Sequence, residues 1–356
     1  MKDIFKNKSV VVTGSSGTIG AELVRQLLDE HSAKELIGID NNETGLFFQQ
    51  QRHADSSNAQ FFIASIRDKD RLLELFNGAD IVFHSAAYKH VGLCEHSPFD
   101  AVQTNILGVK NVIEAAKEAN VERVIFTSSD KAVNPTNVMG TTKLMGERLM
   151  TAANCAGKDH PTIYSSTRFG NVLGSRGSVI PIFREQIKKG GPVTLTDSNM
   201  TRFIMSIKEA TKLVLDSSFL AKGGEVFVTK MPVVRIEDLA IAMIRTLAPV
   251  YGHNAESFKI SLIGSKPGEK LYEELMSEEE MPRTCELKKY FAVLPSYKPL
   301  FRDFCHEYPD LISTTIEKPY HSANEQALSV DEIIEFLHSN DLFSESLPQE
   351  HPNKRL

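Results

Sequence analysis

The chain has 356 residues, 41% hydrophobic and 24% charged, a balance that suits one large α/β unit or a cofactor domain with a smaller lobe. Its net charge of −6, with the basic residues dispersed, gives no electrostatic reason to expect nucleic acid or an anionic membrane as partner. No apolar run approaches the roughly 20 residues of a membrane span, and the N-terminus has no signal-peptide core. Cys94, Cys155, Cys285 and Cys305 share no metal-ligand spacing, so a cytoplasmic protein with reduced thiols and no metal is expected.

Lys8–Thr13 reads as a short buried strand running into Gly14-Ser15-Ser16-Gly17-Thr18-Ile19-Gly20, and a helix with Leu23, Leu27 and Leu28 on its buried face follows. Glycines at 14, 17 and 20 between a strand and a helix let the backbone approach a pyrophosphate, which the N–H groups of the helix start can bind. A second strand, Glu35–Ile39, ends in Asp40, twenty residues beyond Gly20. An acid there accepts from ribose hydroxyls and repels a 2′-phosphate, and Asn41-Asn42-Glu43-Thr44 supplies no compensating cation, so NAD is expected over NADP.

A third strand, Gln60–Ala64, leads to Ser65 and Ile66, both expected beside the cofactor. A fourth, Asp80–Phe83, runs into His84-Ser85-Ala86-Ala87, small enough for a cofactor to lie against, with Lys89 and His90 directed toward a substrate. His84 itself reads as a hydrogen-bonded scaffold residue. Pro98–Asn120 reads as one long helix with an apolar stripe.

Val121–Thr127 is an apolar, β-branched run of a buried parallel strand. Its end emits Ser129, Asp130 and Lys131: a hydroxyl, a carboxylate and an amine. Asn134-Pro135 forces a turn, Asn137 can cap the next helix, and that helix carries Met139 and Lys143 on one face. Strand Thr162–Arg168, helix Ser206–Leu220, strand Glu225–Thr229 and helix Ile236–Leu247 continue the α/β alternation, and Lys266–Leu275 is expected to start another helix. The chain from Ser344 onward is polar and expected to fray.

The layout around 129–143 resembles the extended short-chain dehydrogenases, in which a Ser or Thr after a strand precedes Tyr-x-x-x-Lys. Met139 stands at the Tyr position, and a thioether has no proton to exchange. Together, Ser129–Pro135, Arg168–Val172, Met200–Phe203 and Pro267–Leu275 are similar to the nucleotide-sugar 4,6-dehydratases. More narrowly they resemble soluble bacterial UDP-N-acetylglucosamine 4,6-dehydratases of the polysaccharide biosynthesis protein family, over about residues 8–340.

That resemblance implies a Rossmann doubly wound parallel sheet with a smaller C-terminal substrate-binding lobe. The cofactor domain would span 1–170 with a return near 203–232. The sugar-nucleotide lobe would take 171–202 and 233–340, leaving a flexible tail at 341–356. It places Asn105, Asn171, Arg202 and Glu269 with Lys89 and His90 on the substrate side, Asn105 as a brace and Asn171 and Arg202 near phosphate. It also implies a homo-oligomer through helices near 98–120 and 138–153. The implied reaction oxidises C4 of the sugar, eliminates water across C5–C6 and returns the hydride to C6. Asp130 would relay the C4 proton to the leaving hydroxyl, Lys131 would remove the C5 proton, Ser129 would bond the C4 oxygen and Lys143 would hold the ribose. The segment 134–139 leans toward relatives that retain configuration at C5. A simple 4-epimerase would not need Asp130-Lys131, and a redox-inactive NAD(H) sensor would need none of the retained acid–base groups.

Overall fold

The computed structural model describes residues 5–155, 162–175, 177–264, 268–297 and 305–343. These fall into two compact units, one from Met1–Gly170, Lys208–Lys230 and Glu274–His321, the other from Asn171–Ile207, Met231–Glu273 and Ser322–Leu356.

The first unit is built on a sheet whose opening strands are β1 (Ser9–Thr13), β2 (Glu35–Asp40), β3 (Ala59–Ile63), β4 (Ile81–His84), β5 (Arg123–Thr127) and β6 (Ile163–Arg168). They lie in the order β3-β2-β1-β4-β5-β6, all parallel, and Val226–Thr229 adds a further parallel strand beside β6. Every residue of β1 and β4 is buried, as the apolar runs of a parallel sheet covered on both faces require. Strand order reverses between β1 and β4, where Val11 pairs with both Ile37 and Val82, and the outgoing loops part there to leave a crevice at the strand ends. Three antiparallel strands, Tyr290–Val293, Thr284–Leu287 and Leu311–Ser313, extend the far edge. Because they pair on that sheet, Glu274–His321 belongs to this unit and not, as expected, to the substrate lobe.

Helices α1 (Thr18–Asp29), α2 (Glu43–Arg52), α3 (Lys69–Phe76), α4 (Val91–His96), α5 (Pro98–Val102), α6 (Gly108–Glu118) and α7 (Val138–Ala153) belong to this unit. Side-chain caps fix several starts: Asn42, Asp68 and Asn137 accept from the N–H groups of Gly45, Arg71 and Gly140. Val11, Val82, Val124 and Phe126 on one face of the sheet pack with Leu72, Val109, Val112 and Met150 from α3, α6 and α7. The single helix expected over Pro98–Asn120 is α5 and α6 joined by a π-helical turn, Gln103–Leu107. The wider turn sets Asn105 inward, where its amide accepts from Tyr88 N–H (2.8 Å) and donates to Tyr88 O (2.9 Å) and Thr142 Oγ1 (3.0 Å).

The second unit has its own core, in which Leu173, Ile180, Phe183 and Ile204 meet Leu239, Met243, Ile333 and Leu337. Two small sheets, Val233–Arg235 with Thr201–Met205 and Asn171–Val172, and Ile260–Leu262 with Val193–Leu195, frame it. The expected helix at 266–275 is not formed: Gly268–Leu275 runs as turns and a bridge, and residues 265–267 lie outside the described residues. Of the tail expected at 341–356, Leu342 is buried and its carbonyl accepts from Arg184; residues 344–356 lie outside the described residues. Among the described residues no helix is long and apolar enough to cross a membrane.

Candidate active site

The glycine loop is shaped for an anion. Gly14 has φ +70°, and a Cβ there would stand 2.6 Å from the Ala86 backbone nitrogen, so only glycine lets the β1 and β4 loops close on each other. Gly17 caps α1 without any side-chain bond, which leaves the first-turn N–H groups of Thr18, Ile19 and Gly20 to a ligand. Ser16 is engaged differently: its N–H and its hydroxyl both donate to Asp40 Oδ2, at 3.0 and 2.6 Å. Asp40 Oδ1 accepts from Asn42 N–H at 3.0 Å. Asp40 thus holds the loop's shape besides lying at the end of β2, and Ser16 is a brace for it. Asn41 is exposed beside it, and Ser65 caps its own turn by accepting from Arg67 N–H. Ile66, expected beside the cofactor, is a core side chain packed under Gly108. Ala86 and Ala87 line the end of β4 as expected of small residues. These groups suit a dinucleotide: first-turn donors for a pyrophosphate, an acid for a ribose diol and small side chains at the switch point.

At the end of β5 the chain turns through a 3₁₀ segment, Asp130–Ala132. Asp130 is 1% exposed. Its Oδ1 accepts from Ser129 Oγ (2.6 Å), Lys131 N–H (2.8 Å) and Lys131 Nζ (3.1 Å). Its Oδ2 is buried with no hydrogen-bond partner among the described residues. One oxygen is therefore held by three donors, while the other is buried without one. Lys131 is partly exposed, so its amine reaches solvent or ligand while staying paired.

Helix α7 lies close to this turn because it carries glycine where it must. A Cβ at Gly140 would collide with the Lys131 carbonyl, and one at Gly146 would stand 2.8 Å from the Phe126 ring. Lys143 follows on the same buried face, donates to Thr127 O at 2.8 Å and sits 4.7 Å above the Phe126 ring. Burial lowers its pKa to about 8, against the opposing pull of Glu147. His84 is the scaffold residue expected: fully buried, its Nδ1 2.7 Å from Thr13 Oγ1 and its ring stacked on Phe126, with burial and then Lys143 lowering its pKa to about 3. Met139 packs with Cys94 and Ala101, and with Val91 and Val138, in a small apolar cluster.

The structure gathers Ser129, Asp130, Lys131, Lys143, Asp40 and the glycine loop in the first unit. Lys89 and His90 are exposed where β4 leads to α4. Asn105, grouped with the substrate contacts, has its amide bonded to protein and acts as the brace of the Tyr88 backbone. Within the second unit, Asn171 donates to Phe203 O at 3.4 Å and Glu269 is exposed. Arg202, expected on a phosphate, is buried and donates to the carbonyls of Thr201, Lys270 and Leu271 while pairing with Glu273 at 3.4 Å. It holds the 270–273 segment. The sequence reading missed the buried cluster Glu147–Arg168–Glu280, in which the guanidinium meets both carboxylates at 2.6–2.8 Å. The available signal was Glu147 one helical turn beyond Lys143 on the same face.

A protein of Methanocaldococcus jannaschii described as an uncharacterized membrane protein is 52% identical over 83% of this chain and 88% of its own. A Campylobacter jejuni UDP-N-acetylglucosamine 4,6-dehydratase (inverting) is 38% identical over 84% of this chain and 86% of its own. A Rickettsia felis UDP-glucose 4-epimerase is 34% identical over 97% and 99%. Two further relatives, capsular and probable polysaccharide biosynthesis proteins of Staphylococcus aureus and Bacillus subtilis, are longer, and this chain spans 46% of each. Among solved structures, Pen from Bacillus thuringiensis superposes with a TM-score of 0.88 at 40% identity, over 96% of this chain and 100% of that one. Residues 10–295 match the model of the polysaccharide biosynthesis protein family, and the chain belongs to that family.

Proposed function

We propose that the chain is an NAD-dependent nucleotide-sugar 4,6-dehydratase, with UDP-N-acetylglucosamine as substrate. The observation that carries the reading is the half-satisfied carboxylate of Asp130, buried at the strand end with Lys131 on one oxygen and no partner on the other among the described residues. Bound NAD would supply the hydride acceptor and donor, held by the glycine loop, Asp40 and Lys143.

Asp130 Oδ2 is free to accept the C4 hydroxyl proton as that carbon is oxidised. Ser129 and the Lys131 N–H keep the carboxylate turned to receive it. Proton uptake removes the negative charge that faces the Lys131 ammonium across 3.1 Å, so the partly exposed amine then gives up its own proton to solvent more readily. That coupling answers the main difficulty of a lysine base. The neutral amine removes the C5 proton, acidified by the C4 ketone, Asp130 passes its proton to the departing C6 hydroxyl, and the Lys131 ammonium gives a proton back to C5 as the hydride returns to C6. Met139, enclosed in its apolar cluster, takes no part in proton transfer.

The relative named as a UDP-N-acetylglucosamine 4,6-dehydratase supports this substrate class. The relative named as a UDP-glucose 4-epimerase supports a second reading, inversion at C4 alone, in which Asp130-Lys131 has no assigned task. Incubation with UDP-N-acetylglucosamine separates them. The dehydratase gives a product lighter by one water; an epimer of unchanged mass would replace the first reading with the second. We also propose a homodimer through α4–α7, which expose Leu93, Phe99, Val102, Leu107 and Met145.

A further inference from the structure

We propose that Glu147 is a positioning residue for Lys143: it keeps that buried amine charged, and it is itself held in place for this by the Arg168–Glu280 pair. The proposal rests on the reading of Lys143 as the cationic contact for the cofactor ribose and assigns a control to it.

The geometry is a buried chain of charges. Lys143 and Glu147 are one turn apart on the inner face of α7, both buried. Glu147 accepts from Arg168 Nε at 2.8 Å and Nη2 at 2.6 Å. The other edge of the guanidinium meets Glu280 at 2.8 Å twice, and Nη1 also donates to Leu275 O at 3.2 Å. Two carboxylates share one guanidinium, and Arg283 Nη2, 3.6 Å from Glu280 Oε1, adds a second cation on the Glu280 side. On the Glu147 side the buried cation besides Arg168 is Lys143, one turn back on the same face of α7.

The other groups near Lys143 do not supply that charge. Cys94, from α4, has its thiol pushed up by burial and stays protonated where the lysine titrates. His84, from β4, is neutral at that pH. Asp130 at the end of β5 is matched by Lys131. Glu147 is the remaining carboxylate on α7's buried face, and its pull opposes the burial that lowers Lys143.

The test needs no cofactor and no turnover. In protein labelled with ¹³C at lysine Cε, the Lys143 resonance, assigned by its loss in Lys143→Arg, should titrate near pH 8. In Glu147→Gln, which keeps the side-chain shape, the midpoint should fall by roughly one pH unit. A folded Glu147→Gln with an unmoved midpoint overturns the proposal. The unmodified protein gives a second measurement that depends on no variant folding. With glutamate δ-carbons labelled, the Glu147 resonance should step at the Lys143 midpoint, and a flat trace there overturns the proposal equally. NAD affinity should fall on the alkaline side of the same midpoint. Absence of NAD binding at every pH, with the two titrations still coupled, would reject the cofactor reading and leave the Glu147–Lys143 link standing.

Discussion

Individual residues divide into those whose role follows from local spacing and those whose role is decided by distant neighbours. Asp130 and Lys131 were legible because a charged pair directly after a buried parallel strand has few places to go except the crevice above the sheet. Arg202 was not legible: its partners, the carbonyls of Lys270 and Leu271, lie almost seventy residues away in the chain. Asp40 was half legible. Its position at the strand end was evident, but its bonds to Ser16 were not, and they change what a substitution should do. Asp40→Ala should release the loop and weaken NAD and NADP alike by calorimetry; undiminished NAD affinity would show the loop does not need the brace. Met139→Leu fills the same apolar cluster and removes no acid or base, so steady-state turnover should stay within about tenfold. A loss of about 10²–10⁴-fold, the size of a missing general base, would put Met139 back into the chemistry.

Elements were read best where periodicity and caps agreed. Helix α7 runs over the predicted span, with Asn137 as its cap, because the polar cap and the buried face point to the same register. The π-helical turn escaped notice because one inserted residue hardly disturbs an apolar stripe, although it is what turns Asn105 inward. The hairpin Thr284–Leu287 and Tyr290–Val293 was missed because its turn, Lys288-Lys289, carries none of the Gly or Asn that mark tight hairpins. Between these elements, Arg168 ties β6 to α7 and to the 3₁₀ segment Glu278–Arg283. Burial would raise the Glu280 pKa, but Arg168 and the Ser277 N–H together bring it to about 2. A depressed carboxylate stabilises above its unfolded value of about 4.3, and that contribution fades as pH falls toward 2. Glu280→Gln should therefore cost about 3–5 kcal/mol near neutrality in denaturant unfolding, and much less near pH 2. An equal cost at both pH values would mean the clamp is not ionic.

At the scale of the molecule, the Rossmann-like parallel sheet was legible, since the glycine spacing and the βαβ alternation are local features of the chain. The assignment of Glu274–His321 was not, because it depends on which sheet edge accepts the last strands. Phe99 is 85% exposed, and Phe99→Asp should shift light scattering from dimer to monomer, whereas an unchanged mass would remove α4–α7 as the interface. The central claim is that one ion pair runs the proton transfers in order, Asp130 first and Lys131 second. Cofactor absorbance on mixing each variant with NAD and UDP-N-acetylglucosamine tests it most directly. Lys131→Met should build up NADH absorbance, because oxidation proceeds and the C5 proton stays. Asp130→Asn should show none, because an amide cannot take the C4 proton; NADH forming there as fast as in the unmodified enzyme would contradict the account.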